Sequence, residues 1–334
     1  SDEKLRATAS FSYLFNSISK PYLQVSGGEK ITQFNQSEPI SSLINSVSTL
    51  FFEENYAKFY DKTFAKILFS DELTNGIRMQ SSLSYEKRSP LVNTTDYVLL
   101  NDKQKTYTSN DPLNENNTGI PSFEEHKVYQ FSTAATIRFG QKYISYPNRK
   151  INTFSSDYPS LTIMYNQNFA SSEDIYNYGE IGVRLQQRFD IDNKGTFNYN
   201  IKAGTFFEAD DIAFVDYKHF NGNQTHVNMN FNYTNSFNLM PYYNFSTNQS
   251  YAEFHAEHNF NGYLLNKIPL INKLGFELVL GAKSLVRKDK KPYSELSIGL
   301  NNIVIGKLRF LRLDYVKSNY NGVSQNGLVF GLTF

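Results

Sequence analysis

The chain has 334 residues, enough for one large domain or two ordinary ones. Its formal net charge of +1 excludes the basic excess of a nucleic-acid-binding surface. The lack of cysteine excludes disulfides and thiolate metal sites, and no run of about 18 apolar residues is present to form a transmembrane helix. Mean hydropathy is −0.48, yet aromatics reach 16%, a pairing of polarity and ring area that water-soluble domains rarely show. The chain opens Ser1-Asp2-Glu3 without a basic-apolar leader, so any signal peptide is expected upstream, on a longer chain.

From the N-terminus, strand-like alternation centres first on Phe11 and Leu23. The rhythm breaks in SEPISSLINSVSTLFFEENY. There Ile40, Leu43, Ile44, Val47, Leu50 and Phe51 recur at helical spacing behind Pro39, predicting a helix inside a long loop. Burial of its apolar side within the protein is the plain expectation; plugging an interior, capping a mouth or meeting a partner are the alternatives. Alternation resumes around Ala65, Leu83, Ala134 and Ile163. Ile181, Val183, Leu185 and Phe189 then oppose Glu180, Gly182, Arg184, Gln186 and Arg188. Phe197, Tyr199, Ile201 and Ala203 oppose Asn198, Asn200, Lys202 and Gly204. Val227, Met229, Phe231 and Tyr233 oppose asparagines, and further strands centre on Tyr242, His255, Leu280, Ile298, Leu313 and Phe330.

A soluble antiparallel sandwich would also alternate. These strands, however, run to about 9 to 12 residues, the length of a tilted bilayer crossing. Their polar sides carry Arg, Glu, Asn and Gln on strand after strand, as a wet lumen requires. A bilayer leaves no backbone group unpaired, so strands cross it only as a closed barrel. The reading is an all-β, transmembrane antiparallel barrel over residues 1–334. About fifteen strands are counted; since bacterial barrels are even-numbered, sixteen are expected, with the missing partner before Leu5 or a miscount by one. With the C-terminus on the periplasmic side, Asn16–Lys20, Asp71–Gly76, Asp192–Thr196, Thr234–Asn238 and Asn301–Lys307 become short periplasmic links. Lys142–Tyr158 and Asn261–Gly275 are longer ones, while Gly27–Tyr56, Arg88–Lys127 and Glu208–Thr225 become long outside loops.

The chain closes on GLVFGLTF, where Leu328, Phe330, Leu332 and Phe334 alternate with small or polar residues. A closing strand that is oily to a terminal aromatic suits a membrane interface and is the C-terminal signal typical of outer-membrane barrels. The inward set expected to line the lumen is Arg184, Arg188, Lys202, Glu253, His255, Glu257, Glu277, Glu295, Arg312 and Asp314. Its mixed sign favours a cross-linked, largely closed interior over a charge-selective pore.

Glu253, His255 and Glu257 share a face, but neighbours on one strand face stand about 6.5–7 Å apart, too far for one strand to close a shell of ligands near 2 Å. Ion pairs to Arg312 or Lys283 are the expectation, and no metal or cofactor is assigned. A hydrolytic pairing of His258 with Ser284 or Ser294 lacks a local signature, so no catalytic residue is assigned either.

HAEHNFNGYLLNKIPLINKL, GGEKITQFNQSEPI, FFEENYAKFYDKTFAKI, ELTNGIRMQSSLSYEKRSPLVNTTDY, YTSNDP and RFGQKYISYPNRKI together resemble the C-terminal part of a Bacteroidota outer-membrane family. In that family a signal peptide and a carboxypeptidase-regulatory-like β-sandwich precede a barrel of unassigned function. The ending SELSIGLNNIVIGKLRFLRLDYV…GLVFGLTF is more distantly similar to the last strands of the BamA/TamA barrels. Their Val-Arg-Gly-Phe motif is missing from the late outside loop, where Asp216–Thr225 is the nearest equivalent. The resemblance implies a non-enzymatic outer-membrane protein that is an accessory or scaffold in protein assembly or secretion. A gated channel or an insertase barrel is the alternative. Implied partners are outer-membrane lipid and lipopolysaccharide, and outer-membrane proteins or surface lipoproteins of such a complex.

Overall fold

A computed structural model describes residues 4–100, 107–116, 121–153, 157–229, 233–305 and 308–333. Along the chain lie β1 (Thr8–Leu14), β2 (Tyr22–Gln33), α1 (Ser42–Phe52), β3 (Phe59–Thr74), β4 (Ile77–Pro90) and β5 (His126–Arg138). A small hairpin follows, β6 (Tyr143–Tyr146) and β7 (Arg149–Asn152), then β8 (Ser160–Phe169), β9 (Tyr178–Asp190) and β10 (Thr196–Phe207). The rest are β11 (Val227–Asn228), β12 (Tyr251–Asn259), β13 (Glu277–Arg287), β14 (Tyr293–Ile305), β15 (Leu308–Tyr320) and β16 (Val323–Leu332).

One fourteen-stranded sheet runs β1-β2-β3-β4-β5-β8-β9-β10-β12-β13-β14-β15-β16-β11. Every pairing is antiparallel except the last, where two-residue β11 lies parallel to β16. Hairpin geometry follows local chemistry: Asn321 and Gly322 both take positive φ, 52° and 80°, the backbone of a tight turn matched to strand twist.

Thirteen of the fifteen expected strands stand where alternation placed them. The one centred on Tyr242 does not, and Thr234–Asn238 is no link between strands; of the one centred on Met229, Val227–Asn228 forms β11 and residues 230–232 lie outside the described residues. All three fall between residues 208 and 250, whose described residues fold onto one face of the sheet. Among the described residues β1 and β16 do not pair with each other, so the sheet has two ends. Residues 306–307, inside one expected link, and Phe334 lie outside the described residues.

The two faces differ as the alternation requires. On one, Phe11, Val25, Ile67, Leu83 and Phe131 form a continuous cross-strand row from β1 to β5. On the far half Phe189, Phe197, His258, Leu280, Ile298, Tyr315 and Leu328 form another, from β9 to β16. All five of the first row, and Leu280, Ile298, Tyr315 and Leu328 of the second, are exposed. Leaving a large apolar side chain in water forfeits about 1.5–3 kcal/mol each, so a girdle of this extent is built for an apolar surrounding. No helix is long and apolar enough to cross a membrane, which is silent on crossing by strands.

The other face is covered. The long links 34–58, 91–125 and 208–250 leave the sheet at one end, and the described residues of the third enter the interior. Its Val215, Tyr242 and Tyr243 pack with Phe34, Ile40, Ala57 and Tyr60 beside β2 and β3. Its Phe220, Phe237, Met240 and Phe245 pack with Tyr251, Leu285 and Tyr293 of β12 to β14. Leu239 closes on Val316 and Val329 of β15 and β16.

Helix α1 forms where the spacing predicted, capped by the Ser41 hydroxyl, which accepts from Ile44 N. Its apolar side does not bury as expected. Ile40, just before it, is in the core, but Leu43 and Phe52 are 65% and 58% exposed, and Val47 and Phe51 are also exposed. The interior beneath is already filled by residues 208–250, so the helix is left at the outer surface.

Candidate functional site

Inward side chains of β9 to β16 are set by register, with Lys202, Glu253 and Leu285 in one row, and Asn200, His255, Lys283, Glu295 and Ser318 in the next. The in-folded segment satisfies these rows in turn. Glu295, 1% exposed, accepts the backbone N–H groups of Asn238 (2.6 Å) and Leu239 (2.8 Å) and the Tyr293 hydroxyl (2.7 Å). Lys283 Nζ donates to Ser236 O at 2.7 Å and Asn238 Oδ1 at 2.6 Å. The ring of fully buried His255 meets Phe237 at 4.6 Å, and its Nε2 lies 3.2 Å from Glu253, which also pairs with Lys202 at 2.7 Å.

Further along the same strands, Arg312 binds Asp314 through Nε and Nη2 at 2.7 and 2.9 Å. Its Nη2 also reaches Glu257 at 2.8 Å. Register carries Glu257 of β12 to Val316 of β15, so Arg312 lies three strand spacings across and four residues along, about 20 Å away in a flat sheet; the direct contact needs both long side chains and a curled sheet. The guanidinium lies 3.8 Å from the Tyr233 ring centroid, and the Tyr233 hydroxyl donates to Leu332 O at 3.1 Å. Two glycines make this possible. A Cβ on Gly299 would overlap the Asp314 carboxylate, and one on Gly331 the Tyr233 hydroxyl.

The ten expected lumen residues therefore sort by contact. Lys202, Glu253 and His255 form one cluster, and Glu257, Arg312 and Asp314 a second; Glu295 holds the in-folded segment directly. Glu277 stands apart, accepting from Asn259 and Asn302 at 2.7 Å each. Arg184 donates to Asn200 Oδ1 at 2.9 Å, and Arg188 faces an open cavity. Lys283 serves the segment instead of an acid, whereas the expected Glu257–Arg312 pair is present. Leu328 and Phe330 point outward and are exposed. His258 Nε2 donates to Lys194 O, 3.1 Å away; His258 pairs with Leu280 while Ser284 pairs with Phe254, about 13 Å along the strand, so no nucleophile–base contact forms there.

A third charged cluster was not anticipated. Arg88 is 1% exposed and binds Glu86 at 3.0 Å and Asp216 of the in-folded segment. Lys62 holds the other Glu86 oxygen at 3.0 Å, and the Tyr178 hydroxyl donates to Asp216 at 3.1 Å. The signal was Glu86-Lys87-Arg88: two opposite charges on one strand face, the arrangement that singled out Glu253 and His255. Deeper in the segment, burial and then the adjacent Lys218 charge hold the His219 imidazole down to about 3. At the outer end, burial brings Lys58 down to about 8 while its ammonium donates to Ser109 O at 2.7 Å.

Residues 208–250 thus contact β4, β9, β10 and every strand from β12 to β16. Their hydrogen bonds at β10 include Asn198 Nδ2 to Thr234 Oγ1 (3.0 Å) and Asn200 Nδ2 to Thr234 O (2.8 Å). At β16 the segment becomes β11, where Phe330 N donates to His226 O at 2.9 Å. The arrangement is a folded plug tied to most of the surrounding wall.

Residues 1–300 match the model of a family of unknown function, the DUF5686 C-terminal domain. The chain belongs to that family. No curated protein matches this DUF5686 C-terminal domain. Among solved structures it is similar to BamA from Haemophilus ducreyi lacking POTRA domains 1-3, at 9% identity and a TM-score of 0.51. The match covers 97% of this chain and 60% of that one. At that identity the likeness is one of fold: the DUF5686 C-terminal domain is a large antiparallel sheet of the BamA barrel type.

Proposed function

We propose that this DUF5686 C-terminal domain is an integral outer-membrane barrel without enzymatic activity, serving as an accessory or scaffold in an outer-membrane protein assembly or secretion complex. The observation that carries the reading is the in-folded segment, tied to β4, β9, β10 and β12 to β16, which cross-links much of the interior. The outward apolar rows supply anchorage in lipid and lipopolysaccharide. The exposed Leu43, Val47 and Phe51 stripe of α1 offers a contact for other outer-membrane proteins or surface lipoproteins. Sequence resemblance extends the reading to a Bacteroidota-type cell and to a carboxypeptidase-regulatory-like module upstream.

A BamA/TamA-like insertase is the second reading, favoured by one observation: β1 and the upper part of β16 have unpaired edges among the described residues. Affinity purification in mild detergent separates the two. Stable co-purification with assembly or secretion machinery supports the scaffold; isolation alone, with fast amide exchange in β1 and β16 and insertion of added barrels into liposomes, supports the insertase. Steady conductance in planar bilayers would refute both in favour of a channel.

A further inference from the structure

At the short-link end the inner faces of β5, β8, β9 and β10 wall a cavity of about 700 Å³, within the range of small-molecule sites. Three arginines reach it, Arg138, Arg184 and Arg188, together with amides and hydroxyls and no carboxylate. Register puts Arg138 across from Ser160, Ser160 across from Gln186, and Arg184 and Arg188 on either side of Gln186 along the same strand face. Their backbones are therefore about 10–13 Å apart, close enough for three side chains of that length to converge on one bound group.

This differs from the charged clusters of the surrounding interior. Arg88 and Arg312 each hold two carboxylates, and Lys62 and Lys202 hold one each. Among the described residues no carboxylate lies within ion-pair distance of Arg138, Arg184 or Arg188. Glu72 shares a small adjoining cavity with Arg138, but it is occupied by Lys150 Nζ at 2.7 Å and the Gly76 N–H at 3.2 Å. Arg184 is held toward the cavity by its bond to Asn200, itself fixed by Thr234 of the plug. Arg138 and Arg188 are exposed and Arg184 half-buried, so their donors stay available, and a multiply charged oxyanion matches three planar donor forks.

The geometry points to a binding site for a phosphate-bearing ligand, entered from the short-link end and held by Arg138, Arg184 and Arg188. A lipid headgroup and a soluble phosphate ester present the same chemistry, and both fit the volume.

Isothermal titration of the full chain in maltoside detergent with inorganic pyrophosphate tests the site. Saturable binding is expected, falling at least 100-fold in the Arg138→Gln/Arg184→Gln/Arg188→Gln variant and unchanged in Arg149→Gln, which lies outside the cavity. Heat-modifiable migration on gels checks that the variants fold; if the triple variant does not, Arg188→Gln alone, whose side chain is exposed, is expected to lose about 10-fold. Competition by glycerol phosphate identifies a soluble ester, and competition by dihexanoylphosphatidylglycerol alone a lipid headgroup. Absence of saturable pyrophosphate binding, or wild-type affinity in the arginine variants, would overturn the site and leave the scaffold reading untouched.

Discussion

Lowering the pH should release residues 208–250 from the interior, with His219 setting much of the size of the effect. Its ring sits 5.0 Å from Phe214 and 5.5 Å from Tyr243, with Nδ1 2.7 Å from the Ser246 hydroxyl. Docked, the imidazole is held down to about 3; released into water it returns to its ordinary value near 6.5. The released form therefore takes up the proton first. Docking is at full strength above about pH 6.5 and weakens as pH falls toward 3. At pH 5 the released ring is about 30-fold more protonated than neutral, which shifts the docking equilibrium by about 2 kcal/mol. Amide exchange corrected for intrinsic rates measures this. Peptides from 208–250 should lose about 30-fold in protection between pH 7 and pH 5 relative to peptides from β14, and His219→Gln should abolish most of that difference. Equal relative protection at the two pH values, or a full effect in the variant, would refute the argument.

Three further outcomes follow from the same contacts. Glu295→Gln should destabilise the folded chain by about 1–3 kcal/mol, because two buried backbone N–H groups lose a charged acceptor; thermal unfolding in detergent and faster exchange at Asn238 and Leu239 check it. Arg312→Ala leaves buried Asp314 and half-buried Glu257 without their cation and should cost about 3–5 kcal/mol, read as a lower temperature for the heat-modifiable gel shift. Gly331→Val drives a side chain into the Tyr233 hydroxyl, so residues near 233 should become cleavable by proteinase K. Combining it with Tyr233→Ala should restore resistance.

Much of this fold was legible because the outward face obeys one rule at every strand. Leu280, Ile298 and Phe330 sit two residues from their like, and the strands follow. The same rule misled at Tyr242. A segment packed inside a wall of alternating side chains presents aromatic residues to its own clusters, as Tyr242 and Tyr243 do, imitating a strand without pairing as one. Pro241 carried the contrary signal, since it cannot donate within a central strand, and Tyr242-Tyr243 bury side by side instead of alternating. The charged pairs on single strands, such as Glu253 with His255, were readable from spacing. Pairs closed by the plug, such as Arg88 with Asp216, depend on a return of the chain 128 residues later, which no local pattern encodes. The arginine cavity was partly visible: Arg138, Arg184 and Arg188 all read as lumen-facing from alternation, but the missing acids become apparent only when β5 is set beside β8.

The two parallel rungs of β11 on β16 give the plug a second office. Val227 and Asn228 occupy backbone sites on the last strand that a newcomer would need in order to zip along its rim. Pulling the plug outward and unlatching that rim are consequently a single event, and whatever grips one end of the segment sets how readily the other lets go.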